Sequence, residues 1–260
     1  MFCKKCHLYN SQHYESIIYT MKIPIDILHI IIVGFIRRTR VIDVLFYIKD
    51  NYPKLHFNIQ TIYKYFSKFR KLITFYTYEV LKSVHLDGEW EIDEALITSK
   101  KKDGRGRAAR FRLWAFGLYS RKLSLPIIYL VPNRKKITLH PIIDRFIDRG
   151  STIYSDEFKT YVNTRASPRQ SIIENNLAHK EYTHLWTNHK FSFVNKYDHS
   201  IHTNSIESSW KNLRTLTRRK LTMGTVKYFI GEFNFRHLIK REVEQFNILL
   251  LILSKAKLIQ

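Results

Sequence analysis

The hydrophobic pattern of the chain changes near residue 88, and this change constrains the fold more than any other feature. Before it, apolar residues recur at helical spacing in Ile25–Ile36, Val41–Tyr52 and Ile59–Val84. After it, short segments with strand-like alternation replace that spacing. Helices repeat about every 3.6 residues and strands every second residue, so the two patterns indicate different structures. The sequence therefore predicts a helical module followed by a domain that contains a β-sheet.

Beyond residue 88 the pattern predicts three strands, a helix and a fourth strand. These segments are strands Glu89–Thr98, Arg110–Tyr119 and Ser124–Val131, helix Thr138–Ile147 and strand Ser151–Asp156. A glycine-containing basic loop at 100–107 joins the first two strands, and two further helices are expected over 203–219 and 225–245, after a polar stretch at 163–202. Hairpin-linked strands with a helical crossover predict a mixed sheet of the α/β class.

The charge of the chain is unusual. It has 44 Lys and Arg against 22 Asp and Glu, which gives a net charge of +22 and a pI of about 9.9. Such a balance favours a polyanionic partner, most often nucleic acid and sometimes an anionic membrane. The basic residues are spread along the whole chain, which argues against a membrane surface.

Two apolar segments are candidates for membrane or export signals, Ile25–Ile36 and Phe246–Leu253. Both are far shorter than the ~20 residues that span a bilayer. Neither has the position and flanks of a signal peptide. We interpret them as buried helices and expect an intracellular, soluble protein without a membrane partner, placed in the nucleus if its source is eukaryotic.

The last of the early helical segments is basic. It carries the polar and aromatic side chains Tyr63, Lys64, Tyr65, Lys68, Arg70 and Lys71. Three helices with a basic third member resemble a helix-turn-helix, whose last helix lies in the major groove of DNA. An ordinary helical bundle with a solvated basic face is the alternative.

Two aspartates occupy strand positions that suit a metal site. Asp93 lies inside the first strand, where a period of two places Glu91 and Asp93 on one face and Ile92 and Glu94 on the other. A charge buried in a sheet is costly unless it is paired or metal-bound. Asp156 ends the fourth strand, a preferred position for ligand sites in α/β sheets. Two such carboxylates could bind a hard cation such as Mg²⁺.

A later segment, His202–Lys211, adds further polar groups. In a helix, Asn204, Glu207 and Lys211 lie at i, i+3 and i+7 and share one face. That face offers an amide oxygen, a carboxylate and a cation. Metal-dependent phosphoryl transfer needs oxygen ligands for the metals and positive charge for the phosphate. Each acid alone is typical of a solvated charge. Asp93, Asp156 and this helical face together favour a metal site for phosphoryl transfer.

Eight blocks, in order and spacing, resemble one family: the bacterial insertion-sequence DDE transposases that have eukaryotic Merlin relatives. The blocks are EIDEALIT, the basic loop, FRLWAFGLYSR, TLHPII, STIYSDEFKTY, TNHKFSFV, HTNSIESSWKNLRTLTRR and YFIGEFNFRH. They cover about residues 88–240, and EIDE and HTNSIESSW are the most specific of them.

The resemblance implies an RNase H-like catalytic domain that cleaves transposon ends and transfers them to target DNA with Mg²⁺ or Mn²⁺. Asp93 and Asp156 match the first two catalytic acids. The third is ambiguous, since bacterial members use the position of Asn204 with a lysine at Lys211, whereas the eukaryotic relatives use a glutamate, here Glu207. We take Glu207 as the third acid, and both positions could contribute to the metal site.

Candidate DNA contacts follow from the same resemblance. They are Lys211, Arg214, Arg218, Arg219, His189 and His202. The two histidines could instead hold the site together, and the basic run Thr215–Lys220 also fits a nuclear-import patch.

The N-terminus contains half of a possible zinc ribbon, a module that the family often carries. Cys3 and Cys6 form one CxxC pair, but the second pair is missing. Only His7 and His13 remain as nearby ligands for a site that needs four. We therefore regard Zn²⁺ at Cys3 and Cys6 as the less favoured interpretation.

The predicted organisation has four parts. They are an N-terminal segment at 1–20, a helix-turn-helix-like domain at 21–85, the RNase H-like catalytic domain at 86–245 and a C-terminal tail at 246–260. The expected partners are the terminal inverted repeats, target DNA and further copies of the chain. The alternatives are an inactive or domesticated DNA-binding protein derived from a transposase, and an RNase H-like nuclease that acts on RNA.

Overall fold

The computed structural model describes residues 18, 21, 23–97, 113–158, 160, 161, 177, 180–187, 198–216 and 223–255. The chain forms two compact units, Met1–Glu79 with Leu238–Gln260, and Val80–His237. Several predicted features lie outside the described residues: Cys3, Cys6, the basic loop at 100–107, His189, Arg218 and Arg219.

The described residues contain seven helices and five strands. In chain order these are α1 (Ile25–Ile36), α2 (Val41–Asn51), α3 (Ile59–Leu81), β1 (Glu89–Leu96), β2 (Trp114–Ser120), β3 (Leu125–Val131), α4 (Lys136–Phe146), β4 (Thr152–Asp156), β5 (Thr183–Thr187), α5 (Asn204–Leu216), α6 (Met223–Leu238) and α7 (Glu242–Lys255). No helix in these parts of the chain is long and apolar enough to cross a membrane.

The first unit is helical. Phe35 of α1 contacts Phe66 and Phe69 of α3 edge-on, with ring centroids 5.3 and 5.5 Å apart. On another side α1 packs against α2 and α7. The apolar stripes of these helices therefore face each other, while Lys64 and Lys71 of α3 are exposed.

The second unit is built on a mixed five-stranded sheet, which confirms the predicted α/β class. Its strand order is β3-β2-β1-β4-β5. The first three strands in the chain pair antiparallel, and β4 and β5 run parallel to β1. The crossover from β3 to β4 contains α4.

Helices α5 and α6 cover one face of this sheet. The buried cluster there comprises Ala95, Leu113, Ala115, Ile128, Ile206, Trp210, Leu213, Val226, Ile230 and Phe233. Gly117 of β2 lies under α5, and a Cβ on it would lie 2.6 Å from Ile206 Cδ1 and 2.7 Å from Trp210 Cζ2. The glycine therefore lets the helix approach the sheet backbone closely.

One sequence-based expectation about the elements is wrong, and one strand was not predicted. The helix expected over 225–245 ends at Leu238, and α7 begins separately at Glu242, with Gln245 Nε2 donating to the carbonyl of Ile239 at 2.7 Å across the break. The polar stretch at 163–202 contains β5, whose pairing with β4 connects segments distant in sequence.

Candidate active site

Asp93 and Asp156 are brought together by the parallel pairing of β1 and β4. Glu91 is the register partner of Tyr154. Asp93 and Asp156 each follow this pair by two residues on adjacent parallel strands, so their side chains project from the same face of the sheet. The charge of Asp156 raises the pKa of Asp93, as expected for neighbouring carboxylates.

The Asp93 carboxyl is largely enclosed. Burial is the main cause that raises its pKa to about 7, and repulsion from Asp156 and, more weakly, from Glu207 adds to it. Two hydrogen bonds oppose the rise, from Trp210 Nε1 to Oδ2 at 2.8 Å and from the backbone N–H of Glu94 to Oδ1 at 2.8 Å. The carboxyl is thus held at both oxygens.

Glu207 lies on the same helix as Trp210, one turn earlier. Its Oε1 accepts a hydrogen bond from the hydroxyl of Thr203 at 3.3 Å. Because Trp210 reaches Asp93 and Glu207 acts on the Asp93 pKa, this side of α5 faces the aspartates.

Asn204, one turn before Glu207, has different surroundings. It is exposed and lines a separate polar cavity with Ser208 and Asn212 of α5 and with Tyr119 of β2. Asn204 and Glu207 therefore start one helical face, as the spacing predicts, but they border different surroundings.

Two predicted DNA contacts are exposed on α5. Lys211 and Arg214 follow Glu207 at i+4 and i+7, so the three side chains lie along one side of the helix. Two positive charges thus follow Glu207 along the solvent-exposed face of α5.

His202 belongs to a network beneath the start of α5. Its Nδ1 lies 3.2 Å from Arg121 Nη2 and 3.5 Å from Glu91 Oε1, and its side chain is only 26% exposed. These contacts support the role of holding the site together.

Glu94 has site-like properties that the sequence reading missed. It lies on the opposite face of β1, with its side chain 3% exposed, and it accepts a hydrogen bond from the hydroxyl of Tyr161. Burial, followed by repulsion from Asp156 and Asp93, raises its pKa to about 9. The sequence contains a signal for it, because Glu94 directly follows Asp93 in a strand that both neighbouring strands pair with.

Arg134 is the cation beside Glu94. Its Nη1 lies 3.7 Å from Glu94 Oε2, and its guanidinium stacks on Trp114 at 3.9 Å and on Phe158 at 4.7 Å. The aromatic rings hold this arginine next to the carboxylates.

The donor set fits a hard divalent cation. Within the described residues, His, Cys, Asp and Glu side chains form no group of three that could hold a metal ion as they stand. Asp93 and Asp156 nevertheless supply carboxylate oxygens, the ligands that Mg²⁺ takes. Their mutual repulsion is the kind that a bound cation offsets.

The chain matches the model of a known family. The model described as the ISXO2-like transposase domain matches residues 85–237. The matched region is more than half of the chain and contains the five strands seen in the described residues, together with Asp93, Asp156 and Glu207. No curated protein matches the chain.

Proposed function

The chain belongs to the ISXO2-like transposase family, and on this basis we propose that it is a DDE-type transposase that cleaves DNA at transposon ends and transfers those ends to target DNA. The family implies a DNA-cleaving, DNA-binding enzyme in general. The observation that carries the specific proposal is the juxtaposition of Asp93 and Asp156 beneath α5, inside the matched region.

The proposed fold of the catalytic domain is RNase H-like. The strand order β3-β2-β1-β4-β5, with three antiparallel strands followed by two parallel ones, supports this assignment. In such a sheet the central strands β1 and β4 carry the first two acids, which agrees with the positions of Asp93 and Asp156.

In the proposed mechanism Asp93, Asp156 and Glu207 hold Mg²⁺ or Mn²⁺. A metal held there would supply Lewis-acid activation of the attacking water or 3′-hydroxyl and charge stabilisation of the leaving 3′-oxygen. Trp210 fixes the orientation of the Asp93 carboxylate through Oδ2. Lys211, with Arg214 one turn further, meets the phosphates of the DNA backbone.

Two observations support Glu207 over Asn204 as the third ligand. The charge of Glu207 already acts on Asp93, whereas Asn204 lines a different cavity. Furthermore, an amide oxygen can coordinate Mg²⁺ but does not neutralise its charge. Among the described residues the three carboxylates do not form a metal-binding group as they stand, so metal binding requires Glu207 to come closer to the aspartates.

The test is cleavage of DNA that carries the terminal inverted repeats found beside the element, with Mg²⁺ or Mn²⁺ added. We expect Asp93→Asn and Asp156→Asn to abolish cleavage and to retain binding of the ends. Asp87→Asn is the matched control, because this exposed aspartate precedes β1 and pairs with Lys122 at 2.9 Å.

The outcomes separate the candidate functions. Normal cleavage by either site variant would show that the site is wrongly assigned. Specific binding of the ends by the wild-type protein, without cleavage under either metal, would favour the alternative, a transposase-derived DNA-binding protein.

A further inference from the structure

Glu91 is a buried carboxylate that the proposed chemistry does not use. Its side chain is 0% exposed, and it lies on the face of β1 that also carries Asp93. A charge in such a position is costly unless it is fully hydrogen-bonded. Its partners therefore indicate what it does.

The partners of Glu91 lie at the start of α5. Oε2 accepts the backbone N–H groups of Ser205 at 2.8 Å and Ile206 at 3.0 Å, and Oε1 accepts the Ser205 hydroxyl at 3.0 Å. The first N–H groups of a helix have no partner within the helix. Here a side chain from the central strand of the sheet, more than a hundred residues earlier, binds two of them.

Arg121 holds the same region from the other side. Its Nε donates to Glu91 Oε1 at 2.9 Å, while Nη1 and Nη2 donate to the carbonyls of Ser200 at 2.8 Å and His202 at 2.9 Å. The guanidinium also stacks on Tyr154 of β4, 3.8 Å from the ring centroid. One arginine thus neutralises Glu91 and fixes the segment that leads into α5.

Glu207 lies between two attachment points of α5. The earlier point is Glu91 at Ser205 and Ile206, and the later one is the hydrogen bond from Trp210 to Asp93. Since both attachments come from β1, they set the rotation and register of the helix against the strand that carries the first acid.

We propose that Glu91, held by Arg121, is a positioning residue that fixes the start of α5 so that Glu207 faces Asp93 and can complete the metal site. This inference rests on the proposed function, because it assigns Glu207 to the metal. Thr203, directly before the helix, extends the same arrangement by donating its hydroxyl to Glu207.

A purely structural ion pair would make the same contacts, so the test must separate stability from positioning. The variant is Glu91→Gln, which keeps the size of the side chain but replaces one accepting oxygen with a donor. The control is Glu89→Gln on the same strand, because Glu89 is half-exposed and reaches Arg121 at 3.4 Å without contacting α5 among the described contacts.

The first measurement is amide hydrogen exchange in the metal-free protein. We expect Glu91→Gln to speed exchange at Ser205 and Ile206 by at least about tenfold relative to Glu89→Gln. Exchange at core amides of β1 should change much less. Equal exchange at Ser205 and Ile206 in the two variants would overturn the proposal.

The second measurement is Mn²⁺ affinity by calorimetry. Residues that orient metal ligands typically contribute about 10- to 100-fold in affinity, so we expect a loss of at least about tenfold in Glu91→Gln and none in Glu89→Gln. If Glu91 acts through Glu207, the double variant with Glu207→Gln binds Mn²⁺ no more weakly than Glu207→Gln alone. A further loss in the double variant would contradict the proposal.

Thr203→Val keeps the proposal testable if Glu91→Gln does not fold. Thr203 is buried, and valine preserves its shape while removing the hydroxyl that reaches Glu207. We expect weaker Mn²⁺ binding with unchanged exchange at Ser205 and Ile206. Unchanged binding would count against positioning of Glu207.

If the wild-type protein binds no Mn²⁺, the metal site of the proposed function is wrong. The exchange comparison still decides whether Glu91 anchors the helix.

Discussion

Asp93 has an uncommon setting for a charged residue in a central strand. Its partner on β2 is Gly117, which has no side chain, and its neighbour on β4 is Asp156. The space above Gly117 is filled by Trp210, whose indole donates to Asp93. An acid, a glycine and a tryptophan from three elements thus define one carboxylate position.

The identity of the third metal ligand gives a first prediction at this scale. We expect Glu207→Gln to lower the cleavage rate by at least about a hundredfold, because a carboxylate that carries part of the metal's countercharge is lost. Asn204→Ala should retain most of the activity, since Asn204 borders a different cavity. Single-turnover cleavage assays at saturating Mg²⁺ measure both, and the reverse ranking would assign the role to Asn204.

A second prediction concerns the buried His184 of β5, whose Nε2 lies 2.8 Å from the Ser155 hydroxyl. Burial, with a smaller contribution from His140, lowers its pKa from 6.5 to about 3. The folded protein therefore holds this histidine neutral where the unfolded chain binds a proton. Its contribution to stability is complete above pH 6.5 and is lost as the pH falls from 6.5 towards 3.

Chemical denaturation at several pH values tests the direction of this change in stability with pH. Between pH 6 and 4 the unfolding free energy of the wild type should fall more steeply than that of His184→Gln, by up to ~1.4 kcal/mol per pH unit. Above pH 7 the two slopes should agree. Parallel curves throughout the acid range would show that His184 does not cause the effect.

At the scale of elements, α5 depends on its close approach to β2, and Gly117 permits that approach. The new methyl of Gly117→Ala would meet Ile206 Cδ1 at 2.6 Å and Trp210 at 2.7 Å, so the helix must shift. We expect destabilisation by about 1–3 kcal/mol, as for other overpacked cores, together with weaker Mn²⁺ binding. Thermal unfolding and calorimetry measure the two effects.

Gly34→Ala is the matched control for this prediction. Its methyl would meet Val44 Cγ2 at 2.6 Å, an equally close contact in the first unit. We expect it to leave Mn²⁺ affinity unchanged. If both variants weaken metal binding alike, the loss reflects general destabilisation and not the position of α5.

The sequence predicts elements well where local periodicity decides them. The bounds of α1 are those expected, and the predicted strands around Asp93 and Asp156 differ from β1 and β4 by two residues or fewer. Prediction from the sequence fails where pairing with distant segments determines an element. For example, β5 has few apolar residues and is stabilised by pairing with β4. The break before α7 likewise has no local signal, since Leu238–Glu242 contains neither proline nor glycine.

For the candidate site, the sequence predicts which face of β1 a residue lies on but not what it meets. Glu91 and Asp93 share a face, as the period of two requires. The amides of Ser205 and Ile206 that bind Glu91 follow more than a hundred residues later, and no spacing rule reveals them. For the same reason the helical spacing could not separate Asn204 from Glu207.

At the scale of the whole molecule, the basic residues are spread along the chain, whereas the acids of the proposed metal site are few and lie together. The chain has a net charge of +22 and only 22 acidic residues. Three of these acids are assigned to the proposed metal site. A surface this basic attracts DNA of any sequence by releasing its counterions. The proposed recognition of transposon ends would then come from contacts that add to this general attraction.

Salt dependence tests this division. For duplex DNA, log K should fall linearly with log salt concentration, with a slope of about −0.9 for each phosphate contacted. If Lys211 and Arg214 contact phosphates, Lys211→Gln and Arg214→Gln each weaken binding to specific and random DNA alike and reduce the slope by about one. Lys122→Gln is the control, because Lys122 is paired with Asp87. Fluorescence anisotropy at several salt concentrations gives the slopes, and an unchanged slope in the α5 variants would place the phosphates elsewhere on the protein.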